Sequence, residues 1–281
     1  MSKIGVIGGS GVYKIDGINK VQEHLIETPF GSPSAPIIEM EVSGNHFYFI
    51  PRHGVGHKFT PSEINYRANI YALKLLGVDT VISISAVGSL KEEHAPTHFV
   101  LPSQFIDWTK GLRERSFFSA GVVGHVSTAN PVELSLQGRI TSVLEQTDIQ
   151  YSVGGSYICI EGPQFSSKAE SEIYRGFGAD VIGMTNVPEA YLAKEAGMAY
   201  ATVAMVTDYD CWKEEHCTLE EIMKVMETNY KSAQRMLVKL IPSLVNEPVN
   251  FTAENQYAIV TNPDLISDEQ QKIIDVLVNG K

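Results

Sequence analysis

Cysteine is scarce in this chain. Three occur in 281 residues, Cys159, Cys211 and Cys217, and no CxxC pair is among them. An odd, scattered set excludes a disulfide framework and points to reduced thiols in the cytoplasm. Basic charge is also short: 22 Lys and Arg stand against 33 Asp and Glu, a formal net charge of -11. Such a chain repels nucleic-acid backbones and anionic membrane surfaces, so neither is an expected partner. An anion site must then be made locally, from a few basic side chains and backbone N–H groups. No apolar run is long enough to span a bilayer. The opening MSKIGVIGGSG interrupts its only apolar stretch with Gly8-Gly9 and is not read as a signal peptide. The dinucleotide fingerprint GxGxxG is absent, because the glycines fall at 5, 8, 9 and 11. His53 and His57 lack a third ligand at a metal-like spacing, so zinc is not expected.

What is present is an alternation of strands and helices. The chain is 43% hydrophobic, enough for one large core. Residues 3–7 read as a buried strand entering a Gly turn, and 37–42 with 46–50 as a hairpin around Ser43-Gly44-Asn45. Thr60-Pro61-Ser62-Glu63 resembles a helix start, followed by Ile64, Ala68, Tyr71 and Leu75 on one face and Gly77 as a stop. Strands are expected at 78–85, 157–160, 181–184 and 199–206. Helices are expected from Ser167 to Gly178 and over 188–195. A long helix begins at Thr218 and ends at Pro242, and a last one covers about 267–278. Helix–strand alternation of this kind predicts an α/β fold with helices packed on a central sheet.

Chemistry-bearing residues gather after the strands. Gly8-Gly9-Ser10-Gly11 can cradle an anion or simply turn the chain. Arg52 and His53 offer a guanidinium fork and a further donor suited to phosphate. Ser85-Ala86-Val87-Gly88-Ser89 again sets small residues and hydroxyls at a strand end. Phe165, in the segment Glu161 to Ser167, is either a flat face for a base or a core aromatic. Asp208 and Asp210 form a carboxylate pair or a solvated acidic loop, and their place after an apolar strand favours the pair.

The segments GVIGGSGVY, ETPFGSPS, RHGVGH, NYRANIYALK, SAVGSL, EGPQFSSKAES, GADVIGMTNVPEAYLAKEAG and TDYDCWKEEH resemble the methylthioadenosine phosphorylases, of the trimeric branch of the purine-nucleoside phosphorylases. The likeness runs in order from Lys3 to about Leu244. It implies a phosphorylase domain over residues 1–245 with a distorted mixed sheet flanked by helices. A C-terminal extension, 246–281, would pack on that domain or on a neighbouring subunit. It implies a cytoplasmic homotrimer without metal or organic cofactor. The reaction would be phosphorolysis of 5'-methylthioadenosine to adenine and 5-methylthioribose 1-phosphate, in purine and methionine salvage.

The resemblance also implies roles, carried over position by position. Ser10, Arg52, His53, Ser85, Ala86 and Thr185 would bind phosphate. Met184 would lie beside the ribose and Phe165 beside the base. Ser166, Asp208 and Asp210 would face the purine edge, with Tyr209 also in the substrate-binding set. His125, Leu219 and Ile222 would line the 5' end, and helical spacing adds Met223. Asp208 would act as general acid at purine N7, its pKa raised by burial and by Asp210. The family commonly has Thr at the positions of Ser10 and Ser85, and often Val at those of Leu219 and Ile222. The alternatives are a 6-oxopurine or methylthioinosine phosphorylase on the same scaffold, and a non-catalytic nucleoside-binding protein.

Overall fold

Every apolar strand run must be covered on both faces, and one mixed sheet clothed by helices achieves this. The computed structural model describes residues 2–9, 17–213 and 219–280. Its strands are β1 (Ile4–Gly8), β2 (Asn19–His24), β3 (Ile37–Val42), β4 (Asn45–Pro51), β5 (Thr80–Ser89), β6 (Phe99–Leu101), β7 (Gln104–Trp108), β8 (Tyr151–Val153), β9 (Ser156–Ile160), β10 (Val181–Gly183) and β11 (Ala199–Asp208). Its α-helices are α1 (Tyr66–Leu75), α2 (Leu134–Leu144), α3 (Lys168–Gly176), α4 (Asn186–Glu195), α5 (Leu219–Asn246) and α6 (Asp268–Asn279). The strands join one sheet in the order β2-β3-β4-β1-β5-β10-β9-β7, with β11 on β5 and β6, and β8 on β6.

The centre of that sheet prepares a cleft. On one edge β5 pairs with β11 along most of its length, in parallel. On the other edge β1 covers residues 80–83 in parallel, and β10 covers 88–89 in antiparallel. Among the described residues, no strand pairs with 84–87 on that second edge. Because β10 and β9 run against β5, the carboxyl ends of two parallel groups converge at this gap, where ligands of α/β sheets collect.

The structure moves two helix boundaries. Helix α1 starts at Tyr66 with Asn65 as its cap, Oδ1 accepting from Ala68 N at 3.1 Å. Thr60 to Glu63 close only a turn, in which Glu63 Oε2 accepts from Thr60 N and Oγ1, both at 2.8 Å. Pro242 does not end α5, which continues to Asn246. The bond a proline forfeits is offset by buried Ile241 and Leu244 on either side. The boxed start at Ser167 is present: its Oγ accepts from Glu170 N while Glu170 Oε2 accepts from Ser167 N. The expected start at Thr218 lies outside the described residues. In the tail, Ile273, Ile274 and Leu277 of α6 join the main core.

Candidate active site

The gap beside β5 opens into a cavity of about 340 Å³. Its floor is Ile84, Ser85, Ala86, Val87 and Gly88 of β5. Arg52 and His53 enter from the end of β4, and Met184 and Thr185 from the end of β10. Phe165 and Ser166 come from the loop after β9, and Asp208 and Asp210 from the end of β11. Ile222, Met226 and Tyr230 come from one face of α5. Arg52 and Asp208, distant in sequence, thus share one cleft.

At one end the groups suit a tetrahedral anion. Arg52 N donates to Gly8 O at 2.9 Å, which fixes Arg52 beside the first Gly loop. Its guanidinium is only 2% exposed and is gripped by the equally buried Glu189. Nε meets Oε2 at 2.6 Å and Nη2 meets Oε1 at 2.9 Å. Nη2 also donates to Ser83 Oγ at 2.7 Å, and Nη1 to Ile84 O at 3.1 Å. Burial opposes the positive charge, and Glu189 more than restores it, so Arg52 is held more firmly protonated than an ordinary arginine. Ser85 Oγ lies 3.4 Å from both Thr185 Oγ1 and Tyr157 Oη.

His53 differs from the donor expected of it. Its Nδ1 donates to Phe59 O at 2.9 Å, while Phe59 N donates back to His53 O at 3.1 Å. Burial lowers its pKa to about 4, with nearby Arg52, His57 and Arg113 adding to the fall. The ring is neutral at pH 7, and its one N–H is already spent. His57 stacks on it with ring centroids 4.1 Å apart.

The opposite end is acidic. A bulge between Val206 and Asp208 inserts Thr207 into β11 and turns Asp208 into the cavity. Thr207 Oγ1 donates to Asp208 Oδ2 at 2.6 Å, and Asp210 N donates to Asp208 Oδ1 at 2.8 Å. Asp210 sits at φ +51, a left-handed conformation that aspartate tolerates. Burial raises the pKa of Asp210, with the neighbouring Asp208 charge contributing. Gly88 makes room for both, since a Cβ there would lie 3.3 Å from Asp208 Oδ1 and 3.4 Å from Asp210 Cβ. Ser166 Oγ is buried without a hydrogen-bond partner among the described residues.

Three expected site residues are placed elsewhere. Tyr209 lies outside the cavity lining, and its hydroxyl donates to Glu92 O at 3.3 Å. His125 is exposed and outside the cavity lining, because its N–H is tied to Ala258 O and Gly124 bridges Ile259. Met223 is 57% exposed, one position off the lining face of α5. Ser10 and the side chain of Leu219 lie outside the described residues. Conversely, the sequence reading missed Met226 and Tyr230, which repeat Ile222 at four and eight residues and so share its helical face. It also missed Arg113, whose buried Nη1 donates to Met184 O and Val187 O, both at 2.7 Å. An arginine in a polar loop gives no sign of this, whereas Glu189 is a lone acid among apolar neighbours. Among the described residues no three His, Cys, Asp or Glu gather to hold a metal, and no helix is long and apolar enough to cross a membrane.

Comparisons with known proteins point to one family. Residues 3–242 match the model of the Phosphorylase superfamily. The S-methyl-5'-thioadenosine phosphorylase of Geobacter sulfurreducens is 44% identical, over 99% of this chain and 98% of its own. That of Hyperthermus butylicus is 50% identical, over 87% and 89%. Among solved structures, a methylthioadenosine phosphorylase from an Antarctic soil metagenomic library superposes with a TM-score of 0.92, at 41% identity and covering 98% of both chains. The methylthioadenosine phosphorylase of Schistosoma mansoni in complex with adenine gives 0.82, at 34% identity, covering 88% of this chain and 93% of the other. The chain belongs to the phosphorylase superfamily and, within it, to the S-methyl-5'-thioadenosine phosphorylases.

Proposed function

We propose that this protein cleaves 5'-methylthioadenosine with inorganic phosphate, releasing adenine and 5-methylthioribose 1-phosphate. The observation that carries the reading is the shared cavity, with Arg52, Ser85 and Thr185 at one end and Asp208 and Asp210 at the other. Phosphate held by Arg52, by the hydroxyls of Ser85 and Thr185 and by the backbone around Ala86 and the Gly8-Gly9 turn stands under the anomeric carbon. Prior binding removes the entropy cost of bringing the nucleophile. Its charge offsets the positive charge that develops on the sugar. A phosphate oxygen bonds to C1' as the C1'–N9 bond breaks, and the electron pair passes to the purine. A proton shared by Asp208 and Asp210 goes to N7, with Asp208 nearest the base and Asp210 kept protonated to higher pH by its burial.

The carboxylates, with Ser166 beside them, favour a 6-amino group, which donates where a 6-oxo group would repel. An unmatched buried polar edge costs about 1–3 kcal/mol. The apolar face of Ile222 and Met226 suits a methylthio substituent. The reading extends to a homotrimer working in the cytoplasm, on the strength of the family resemblance. Release of the free base (adenine from methylthioadenosine, hypoxanthine from methylthioinosine and inosine), with phosphate present or omitted, tests the reaction. Release that ignores phosphate, or that is fastest with the 6-oxo substrates, rejects it.

A further inference from the structure

We infer that His53 selects the anion by its proton: Nε2 of the ring accepts a hydrogen bond from the hydroxyl of monohydrogen phosphate, so the site admits protonated tetrahedral oxyanions and turns away sulfate. This rests on the proposed phosphorolysis, and adds to it the chemical test the site applies to its nucleophile.

The tautomer follows from the partner. A carbonyl oxygen can only accept, so the 2.9 Å contact to Phe59 O places the proton on Nδ1. The reciprocal bond from Phe59 N to His53 O, at 3.1 Å, closes the loop on itself and fixes the backbone that carries the ring's partner carbonyl. His53 lines the cavity with Arg52 and Ser85, and Nε2 has no hydrogen bond among the described residues. A neutral ring with Nδ1 protonated presents a lone pair there. The groups around it keep it neutral: burial first, then the charge of Arg52, the stacked His57 and the charge of Arg113.

A lone pair beside a bound oxyanion repels unless that anion brings a proton of its own. Monohydrogen phosphate does, and so does monohydrogen arsenate. Sulfate is of the same shape and charge and has none. Net charge does not make this distinction, because Arg52 is already paired with Glu189 at 2.6 Å and spends most of its fork inside the protein.

The test begins with wild-type enzyme. Phosphate-dependent cleavage of the nucleoside confirms the underlying reaction; its absence would defeat that reading and the inference with it. In active enzyme, arsenate should support cleavage with an apparent KM within a few fold of phosphate. Sulfate should compete roughly ten- to hundredfold more weakly than phosphate binds, the weight of one unmatched polar contact. Monofluorophosphate, a dianion without a hydroxyl, should behave as sulfate does. In His53→Gln the amide can turn an N–H toward the anion, so the ratio of sulfate Ki to phosphate KM should fall about tenfold or more. A merely structural role would weaken both anions and leave the ratio alone. Sulfate and monofluorophosphate competing as tightly as phosphate binds would overturn the inference, by showing a ring that gains a proton and donates. An unchanged ratio in a folded His53→Gln would overturn it equally.

Discussion

At Arg52 a full charge is buried before any substrate arrives. The guanidinium can stay ionised there only because Glu189 supplies the opposite charge and Ser83 and Tyr200 hydroxyls, at 2.7 and 2.9 Å, satisfy the rest of that carboxylate. Breaking such a pair from one side leaves an uncompensated buried charge, at a cost of about 3–5 kcal/mol. Glu189→Ala should therefore lower the stability measured by urea unfolding by that order, whereas Lys231→Ala, which ends an exposed pair with Glu227, should leave it nearly unchanged. At the other end of the cavity the proposed role is catalytic. Asp208→Asn keeps the shape and removes the acid, so kcat should fall about 10²–10⁴-fold with the phosphate KM little changed. A phosphate KM that rose in step with the loss of turnover would place Asp208 at the anion instead.

Among the elements, α5 forms one wall of the cavity, and in the proposed reading that wall faces the 5' substituent. Ile222, Met226 and Tyr230 project from one face into the cavity, and a Cβ added at Gly9 would lie 2.9 Å from Tyr230 Oη. Widening this wall should relax selection for an apolar substituent, at about 1–3 kcal/mol per methylene-sized change. In Ile222→Ala, the ratio of kcat/KM for methylthioadenosine over adenosine should thus drop about tenfold; an unchanged ratio would move the 5' wall off this helix. The same helix shows what a sequence does and does not disclose. Its apolar stripe was legible because it repeats every three to four residues. Its end was not, since a proline costs a fixed amount locally and buried neighbours outweigh it. Strand β2, exposed along its length, had no apolar alternation to read. Thr60 and Glu63 had the letters of a helix start, but the structure uses them to close a turn.

In the molecule as a whole, the site was legible where a strand end carries a small, basic or acidic loop, because the fold brings those ends to one gap. It was illegible where function depends on which atom of a side chain is already engaged, as at His53, or on a partner far away in sequence, as for Arg113. The burial of the His53 ring has a global consequence. Its pKa of about 4 lies below the 6.5 of an unfolded histidine, so between those values the unfolded chain binds the proton more readily. Stability from this group is whole above pH 6.5 and is lost as pH falls toward 4. At about 1.4 kcal/mol per pH unit, and with some screening of a half-buried ring, the loss between pH 7 and pH 5 is at most about 2 kcal/mol. Glu161, lowered by Ser62, the Lys110 N–H and Arg113 against the effect of burial, loses its contribution only further down, as pH falls below 4.5. Glu195 and Asp210, both raised by burial, act in the opposite sense as they take up protons. Subtracting one protein from another isolates the histidine. Urea unfolding of wild type and His53→Gln at pH 7 and pH 5, in phosphate-free buffer, should show the wild type losing more stability by up to about 2 kcal/mol. Equal losses in the two proteins would mean that the ring titrates normally in the fold, and that burial and the charge of Arg52 do not hold it neutral.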